Sequence, residues 1–270
     1  MFDLHIHSLH SHDSKQTPDE ICDRAIRIGL EGIAVCDHAD MWFAEKLQTE
    51  QEIRRCIEDV KKAAERYRSH LTVLQGIEMA EYLYDPAAAE RILSLCPFDV
   101  ILGSVHSVRF EDITDSYSRI DFSSMPMEKI HRFLSEYFRN VSEIIEKTDF
   151  DVLTHLTCPL RYINGKYRRN ADIMRHRDEI FTIFEQIIQK EIALEINTSG
   201  IGGDFNDYMP PLSLIQSYIG MGGKRITLAS DAHVPQNIGN GFAKISAVLQ
   251  DMGVDGHYVY RRRQAEFKPF

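Results

Sequence analysis

Nine residues that can bind a metal ion lie along this chain, nearly all at the end of a short apolar segment. Imidazole nitrogens and carboxylate oxygens are ligands that zinc, iron and manganese accept in proteins. One buried histidine is more often a packed core residue than a ligand, but here the placement recurs along the whole chain. The set comprises His5, His7, Asp13, His38, Glu78, His106, His155, Asp231 and His233. Its size predicts more than one ion.

Two of the segments end in a pair of ligands separated by one residue. His5 and His7 form the first pair, and Asp231 and His233 form the second. Residues i and i+2 of a strand point to the same side, so each pair can converge on one ion. Asp37, directly before His38, is predicted to hold the ring of a ligand histidine by a hydrogen bond.

Ions about 3.5–4 Å apart lower the pKa of a shared water and hold phosphoryl oxygens. The ligand set therefore predicts hydrolysis of a phosphoester or an amide. Arg161, in the segment after His155, is the first candidate to bind a phosphate through two parallel hydrogen bonds. Arg109 and Arg119, in the segment after His106, are further candidates.

The elements that position these residues alternate between strand and helix. Helices are predicted after the capping box Thr17–Glu20, after a second box formed by Thr49 and Glu52, after Pro126, and around 180–188. Most of the predicted strands are short and continuously apolar, as expected for strands covered on both faces. They are Phe2–His5, Gly32–Cys36, Leu71–Ile77, Val100–Ser104, Val152–Thr154, Ala193–Ile196 and Ile226–Ala229.

Strand and helix alternation predicts an α/β fold with a parallel sheet. An open doubly wound sheet would gather ligands from two or three strands at one crevice, whereas here nearly every strand end contributes. The pattern therefore favours a closed barrel, whose active site lies at the carboxyl ends of its strands. Three long irregular segments, 107–125, 156–170 and 198–211, follow such ends and are candidates for the mouth of the site.

The composition narrows the class of protein. A chain of 270 residues with 43% apolar content can bury one large core, and we expect a single domain over 1–270. The net charge of −10 argues against a nucleic-acid-binding surface. Five cysteines without a CxxC pair, no signal peptide and no membrane-length apolar run predict a cytoplasmic protein with reduced thiols. Nothing in the sequence indicates the oligomeric state.

Taken in order, these motifs resemble those of the PHP (polymerase and histidinol phosphatase) superfamily, and specifically its monofunctional histidinol-phosphate phosphatases. The resemblance covers roughly the whole chain. The segments that carry it are Asp3–Ser8 with Ser11 and Asp13, Asp37–His38, Gly76–Glu78, Gly103–His106, His155–Tyr162, Glu195–Gly200 and Ser230–His233. Cys36 stands where Thr or Ser is more usual, and His12 beside Asp13 leaves open which of the two binds an ion.

The resemblance implies a distorted seven-stranded barrel, (β/α)7, that holds three divalent transition-metal ions: zinc, iron or manganese. By position, the first ion would take His5, His7, Glu78 and Asp231. The second would take Glu78, His106 and His155, and the third would take Asp13, His38 and His233. Arg161 would bind the substrate phosphate, and Asp13 or His233 are candidate acids for the leaving alcohol. Glu81 and the 107–125 segment are places where the rest of the substrate could be recognised.

The function implied is hydrolysis of a small phosphorylated substrate, L-histidinol phosphate, as in histidine biosynthesis. A nucleotide or phosphoprotein phosphoesterase of the same superfamily is the first alternative. An amidohydrolase is the second, although no Lys ends a strand to form the carboxylated bridge common in such sites. A regulatory module without activity is disfavoured, because the chain keeps a full ligand set.

Overall fold

The computed structural model describes residues 1–270 and contains a nearly closed barrel of parallel strands surrounded by helices. The strands are β1 Phe2–Ile6, β2 Gly32–Val35, β3 His38–Asp40, β4 Thr72–Ala80, β5 Val100–Ser104, β6 Val152–Leu153, β7 Ala193–Asn197, β8 Ile226–Ala229, β9 Gly256–Arg261 and β10 Gln264–Pro269. The helices are α1 Pro18–Arg27, α2 Thr49–Tyr67, α3 Pro86–Leu93, α4 Met127–Lys147, α5 Arg177–Gln189, α6 Leu212–Gly220 and α7 Phe242–Asp251. No helix is both long and apolar enough to cross a membrane.

Seven parallel strands form the barrel wall in the order β1-β2-β4-β5-β6-β7-β8, and short β3 extends the wall beside β4. The wall closes between the segment after β8 and the end of β1. There Asp231 N donates to His5 O at 2.8 Å, and His7 N donates to Ala232 O at 3.0 Å. The predicted barrel is thus confirmed, and its closure brings the two ligand pairs at opposite ends of the sequence together.

The inside of the barrel has two layers. The lower layer is a buried apolar cluster to which β1 contributes Phe2 and Leu4 and β5 contributes Val100 and Leu102. The potential ligands lie above it, towards the carboxyl ends of the strands. The pairing register between β1 and β2 is irregular between Asp3 and Ile6, which is where the inward-facing side changes from Leu4 to His5.

The helices cover the outside of the barrel through apolar stripes. The capping box at Thr17 is present: the Thr17 hydroxyl accepts from Glu20 N, and Pro18 is the first helical residue. In α4, residues such as Phe133, Tyr137 and Phe138 recur at helical spacing and are buried against the wall. The larger of the two apolar clusters, 60 residues, lies between wall and helices, so this layer supplies most of the hydrophobic burial.

Several sequence predictions about elements are wrong in detail. Thr49 does not cap α2, because it is already the first helical residue and no side chain caps this helix. Glu78 lies inside β4 instead of after it, since this strand continues to Ala80. The short strand β3 and helices α3, α6 and α7 were not predicted. The β9–β10 hairpin, which includes the arginines 261–263, was not predicted either.

This hairpin seals the lower end of the barrel. Val259 and Tyr260 of β9 belong to the lower apolar layer. Phe2 N donates to His257 Nε2 at 3.1 Å, which ties β9 to the first barrel strand. Arg263 Nε lies 3.2 Å from both Asp151 carboxylate oxygens, so an ion pair fastens the turn of the hairpin.

Candidate metal centre

The first group of potential ligands lies deep in the barrel and comes from its two closing strands. His5 Nε2 and His7 Nε2 are 3.0 Å apart, and Asp231 Oδ1 lies 3.2 Å from His7 Nε2. Both histidines are fully buried. Asp231 is held with a positive φ of 50°, an uncommon conformation for a non-glycine residue that directs its carboxylate to the pair.

The hydrogen bonds around this pair decide which ring nitrogens carry protons. His5 Nδ1 lies 2.9 Å from the Glu195 carboxylate, so Nδ1 is the donor. His7 Nδ1 lies 3.0 Å from Ser11 Oγ, whose own hydrogen is donated to Asp37 Oδ1 at 2.6 Å. The hydroxyl must therefore accept from His7. The two Nε2 atoms face each other. Burial lowers the pKa of His5, but the charges of Glu195 and Glu78 outweigh it and raise that pKa well above its usual range, so a positive charge between the two rings, carried by a proton or a metal ion, is favoured.

Glu78 lies at the centre of the array. Its Oε1 is 3.1 Å from His106 Nε2 and 2.9 Å from His155 Nε2. Its Oε2 lies 3.5 Å from His5 Nε2 and 2.8 Å from His38 Nδ1. That last pair is close but not aligned for a hydrogen bond, so both atoms are buried without a partner. The two oxygens thus face two different sets of nitrogens, as a bridging carboxylate does.

The third group lies nearest the solvent. Asp13 Oδ1 is 3.6 Å from His38 Nε2, and Asp13 Oδ2 is 3.3 Å from His233 Nε2. His12 also lies near this group, with its ring centroid 5.3 Å from that of His38. All nine residues predicted from the sequence therefore surround one site, and both candidates at positions 12 and 13 remain within its reach.

The protonation of the array follows from burial and charge. Burial opposes ionisation of Glu78, but the charges of His106 and His5 prevail and hold its pKa well below the usual range. Burial, with repulsion from His233 and His38, lowers the pKa of His7 to about 3. A carboxylate kept ionised beside an imidazole kept neutral is the protonation state in which both bind metal ions.

A cleft of about 850 Å³, measured with its open mouth, leads from the surface to the array. Arg161 lines it, at the start of a short π-helical turn, and its Nη1 donates to Ser199 Oγ at 3.2 Å. Arg119 also lines the cleft. Arg109 does not, because its guanidinium lies over the rings of Trp42 and Tyr84, 4.9 Å from each centroid.

A family model described as "PHP domain" matches residues 3–199, which is more than half of the chain. The chain belongs to the PHP family. Among curated relatives of this PHP protein, a probable histidinol-phosphatase of Thermotoga maritima is 26% identical over 95% of this chain and 96% of its own length. A histidinol-phosphatase of Lactococcus lactis is 25% identical over 86% of this chain and 84% of its own.

Solved structures show the same fold. The histidinol phosphate phosphatase of Lactococcus lactis, crystallised with zinc, L-histidinol and phosphate, has a TM-score of 0.76 at 21% identity. The match covers 98% of each chain. A histidinol phosphatase of Listeria monocytogenes, described as putative by its authors, has a TM-score of 0.77 at 16% identity and covers 90% of this chain and 99% of its own.

Two acidic residues that support the PHP site were not assigned a role from the sequence. Glu195 binds His5 Nδ1 through one oxygen and accepts from His155 N at 3.0 Å through the other. Asp40 lies 3.0 Å from His106 Nδ1 and orients that ring. The signal for Glu195 was an acid within the otherwise apolar strand 193–196, since a buried carboxylate needs partners.

Glu81, expected near the substrate, has a different place. Its carboxylate accepts hydrogen bonds from His106 N and Ser107 N, and it does not line the cleft. Burial, with the nearby charge of Asp40, raises its pKa to about 7. Asp37, predicted to hold the ring of a ligand histidine, does so only indirectly. It accepts hydrogen bonds from the Ser8 and Ser11 hydroxyls and reaches His7 through the Ser11 hydroxyl.

Proposed function

We propose that this PHP protein is a metal-dependent phosphomonoesterase that hydrolyses L-histidinol phosphate to L-histidinol and phosphate. The observation that carries the proposal is the convergence of nine potential ligands and one arginine on a single cleft. The names of the curated relatives support the substrate, because relatives matched over most of their length are histidinol-phosphatases. We expect the reaction to take place in the cytoplasm and the whole of 1–270 to act as one domain.

The proposed centre holds three ions of zinc, iron or manganese. His5, His7, Glu78 and Asp231 would bind the first, and Glu78, His106 and His155 the second. Asp13, His38 and His233 would bind the third, with His12 as the alternative to Asp13. The facing Nε2 atoms of His5 and His7, and the unpartnered Glu78 oxygen, support this assignment.

Bound ions would supply Lewis acidity, which activates water and neutralises the phosphoryl oxygens. The residues of the chain would supply position and charge. Arg161 would bind the phosphate through its guanidinium, which Ser199 orients, and would stabilise the charge that develops on it. Asp13 and His233 are the most exposed of the nine, at 45% and 29% of their side-chain surface, so we assign them proton transfer to the leaving alcohol.

The proposal is tested by phosphate release from L-histidinol phosphate with manganese or zinc. A chelator should abolish turnover, and adding the metal back should restore it. His7→Ala should lower kcat/KM at least about 100-fold, because it removes an inner ligand. The control is His70→Ala, an exposed histidine outside the centre. Full turnover by His7→Ala would contradict the assigned site.

A panel of nucleotide, phosphopeptide and amide substrates tests the alternatives. If a phosphorylated substrate other than histidinol phosphate gives the highest kcat/KM, the reaction class stands and the substrate assignment is wrong. If only amides are cleaved, the phosphatase proposal is wrong. We expect phosphate release and no amide cleavage, because Arg161 lies beside the ligands in the cleft and no lysine is one of the potential metal ligands.

A further inference from the structure

Strand β10, the outer strand of the hairpin, has an edge without a partner. It pairs only with β9, and the two strands form a sheet of their own. The edge of such a strand presents backbone N–H and C=O groups to which another strand can add. Phe267, in the middle of β10, is also the most exposed large apolar side chain of the protein, at 51%. Both features are expected of a surface that binds a further strand.

The turn of the hairpin determines which backbone groups lie on this edge. Its two residues, Arg262 and Arg263, both have a positive φ, as in the two-residue turns of tight hairpins. The residues on either side of such a turn exchange both hydrogen bonds, so the even-numbered residues of β10 bond to β9. Phe270 N accordingly donates to Asp255 O at 3.0 Å. The backbone groups of the odd-numbered residues therefore point away from β9.

The free edge can pair with itself in an antiparallel arrangement. Its outward groups belong to Ala265, Phe267 and Pro269. With Phe267 opposite Phe267 of a second copy, each donates its N–H to the carbonyl of the other. Ala265 N–H then donates to the Pro269 carbonyl of the second copy. Proline has no N–H to donate, but this register requires only its carbonyl.

The charges of β10 favour this register over its neighbours. Glu266 lies opposite Lys268 of the second copy, and Lys268 opposite Glu266, so opposite charges meet on both sides of the axis. In the next register on either side, Glu266 would oppose Glu266 or Lys268 would oppose Lys268, and like charges repel. Within one chain, Glu266 lies 3.5 Å from Lys268 and 3.6 Å from Arg261. These side chains are partly exposed, so those contacts contribute little and leave the charges available.

We propose that β10 is the interface of a homodimer, in which two hairpins join through their free edges into one antiparallel sheet of four strands. The two Phe267 rings would contact each other across the axis and lose exposure to water. A strand of six residues makes a small interface, so we expect a weak dimer. The inference is independent of the proposed function, because the hairpin seals the lower end of the barrel and both clefts stay open.

Charge reversal, followed by sedimentation equilibrium, tests the interface. Glu266→Lys leaves two cations on β10 and Lys268→Glu leaves two anions, so each variant alone should dimerise at least about 10-fold more weakly than the original protein. An equimolar mixture of the two should associate again, because the cations of one strand then face the anions of the other. The double variant should dimerise like the original protein. Lys244→Glu, which reverses an exposed charge on α7, is the control.

The outcomes separate this interface from any other. An original protein that stays monomeric up to its limit of solubility would overturn the proposal. Dimerisation that neither reversal weakens would also overturn it, because the interface would then lie elsewhere. So would a mixture of the two variants that does not associate while both keep the circular dichroism of the folded protein. If one single variant does not fold, the other and the double variant decide. Phosphate release is measured separately, so failure of the dimer leaves the proposed function standing.

Discussion

At the scale of single residues, the ligands could be identified from the sequence but their supports could not. His5 and His7 were recognisable because a strand sends residues i and i+2 to the same side. The sequence could not reveal that Glu195, 190 positions away from His5, accepts its Nδ1 proton at 2.9 Å. Such a contact depends on the closure of the barrel and leaves no local pattern.

Glu195 offers a sharp test of how these supports act. In Glu195→Gln, the amide oxygen is expected to replace Oε1, which accepts from His155 N and Asn197 Nδ2. The amide NH2 would then face His5 Nδ1, and two donors would meet. The proton of His5 should move to Nε2, which removes the lone pair that binds metal. We expect metal affinity to fall about 10- to 100-fold.

A competition titration with a chromophoric chelator measures this affinity. Glu185→Gln, an exposed glutamate of α5 that makes no ion pair, is the matched control. The far-ultraviolet circular dichroism of both variants should equal that of the original protein. Unchanged metal affinity in Glu195→Gln would show that this carboxylate does not set the tautomer of His5.

At the scale of elements, the apolar barrel strands were predictable and the peripheral elements were not. Most of the seven barrel strands are largely apolar because both faces are covered, and this signal is strong. Two of the three residues of strand β3, His38–Asp40, are polar. The strand therefore lacks the apolar run by which the other strands were predicted. The Thr49 box failed because its sequence pattern also fits the first turn of a helix, and only backbone geometry separates the two.

Glycine at position 76 shows how closely the strands and the ligands are packed. Gly76 lies two residues before the bridging Glu78. A Cβ at Gly76 would overlap Cys36 Sγ and lie 3.0 Å from Val100 Cγ1. Gly76→Ala should therefore lower the unfolding free energy by about 1–3 kcal/mol, because the lower apolar layer of the barrel would be overpacked. Urea denaturation provides the measurement.

Gly220→Ala is the control for this substitution. A Cβ at Gly220, the last residue of α6, meets no atom within 4 Å. This variant should be neutral or stabilised by up to about 1 kcal/mol, because alanine loses less chain entropy in a helix. Equal stability of the two variants would contradict the close packing described for the lower apolar layer.

At the scale of the whole molecule, the sequence indicated a barrel but not how its lower end is closed. In the β9–β10 hairpin, Arg263 pairs with Asp149 and Asp151. Partners more than 100 positions apart cannot be read from local spacing. The hairpin leaves the upper end as the one open route to the ligands, which places the active site at the carboxyl ends of the strands.

Closure by the hairpin makes stability depend on pH through His257. Burial, with repulsion from the N-terminal ammonium, lowers the pKa of His257 from 6.5 to about 4, since its neutral Nε2 accepts from Phe2 N. Glu31 and Lys268 also act on this ring, and Phe270 stacks on it. The unfolded chain binds the proton more tightly, so stability is lost as the pH falls from about 6.5 towards 4.

His257→Gln should make this loss smaller, because the amide oxygen can accept from Phe2 N and does not titrate. Between pH 7.5 and pH 5, we expect the unfolding free energy of the original protein to fall by about 2 kcal/mol more than that of the variant. Urea denaturation of both metal-free proteins measures the difference, in which the other titrating groups cancel. Parallel pH profiles would contradict a neutral, buried His257.

The most direct test of the account is the number of metal ions bound per chain, measured by elemental mass spectrometry after zinc or manganese loading and removal of free metal. We predict three ions per chain for the original protein. We expect Asp231→Ala to lose at least one, because the Asp231 carboxylate lies 3.2 Å from His7 Nε2 in the original protein. A folded protein that retains less than one ion per chain, with or without Asp231, would contradict the polynuclear centre and the phosphatase assignment that depends on it.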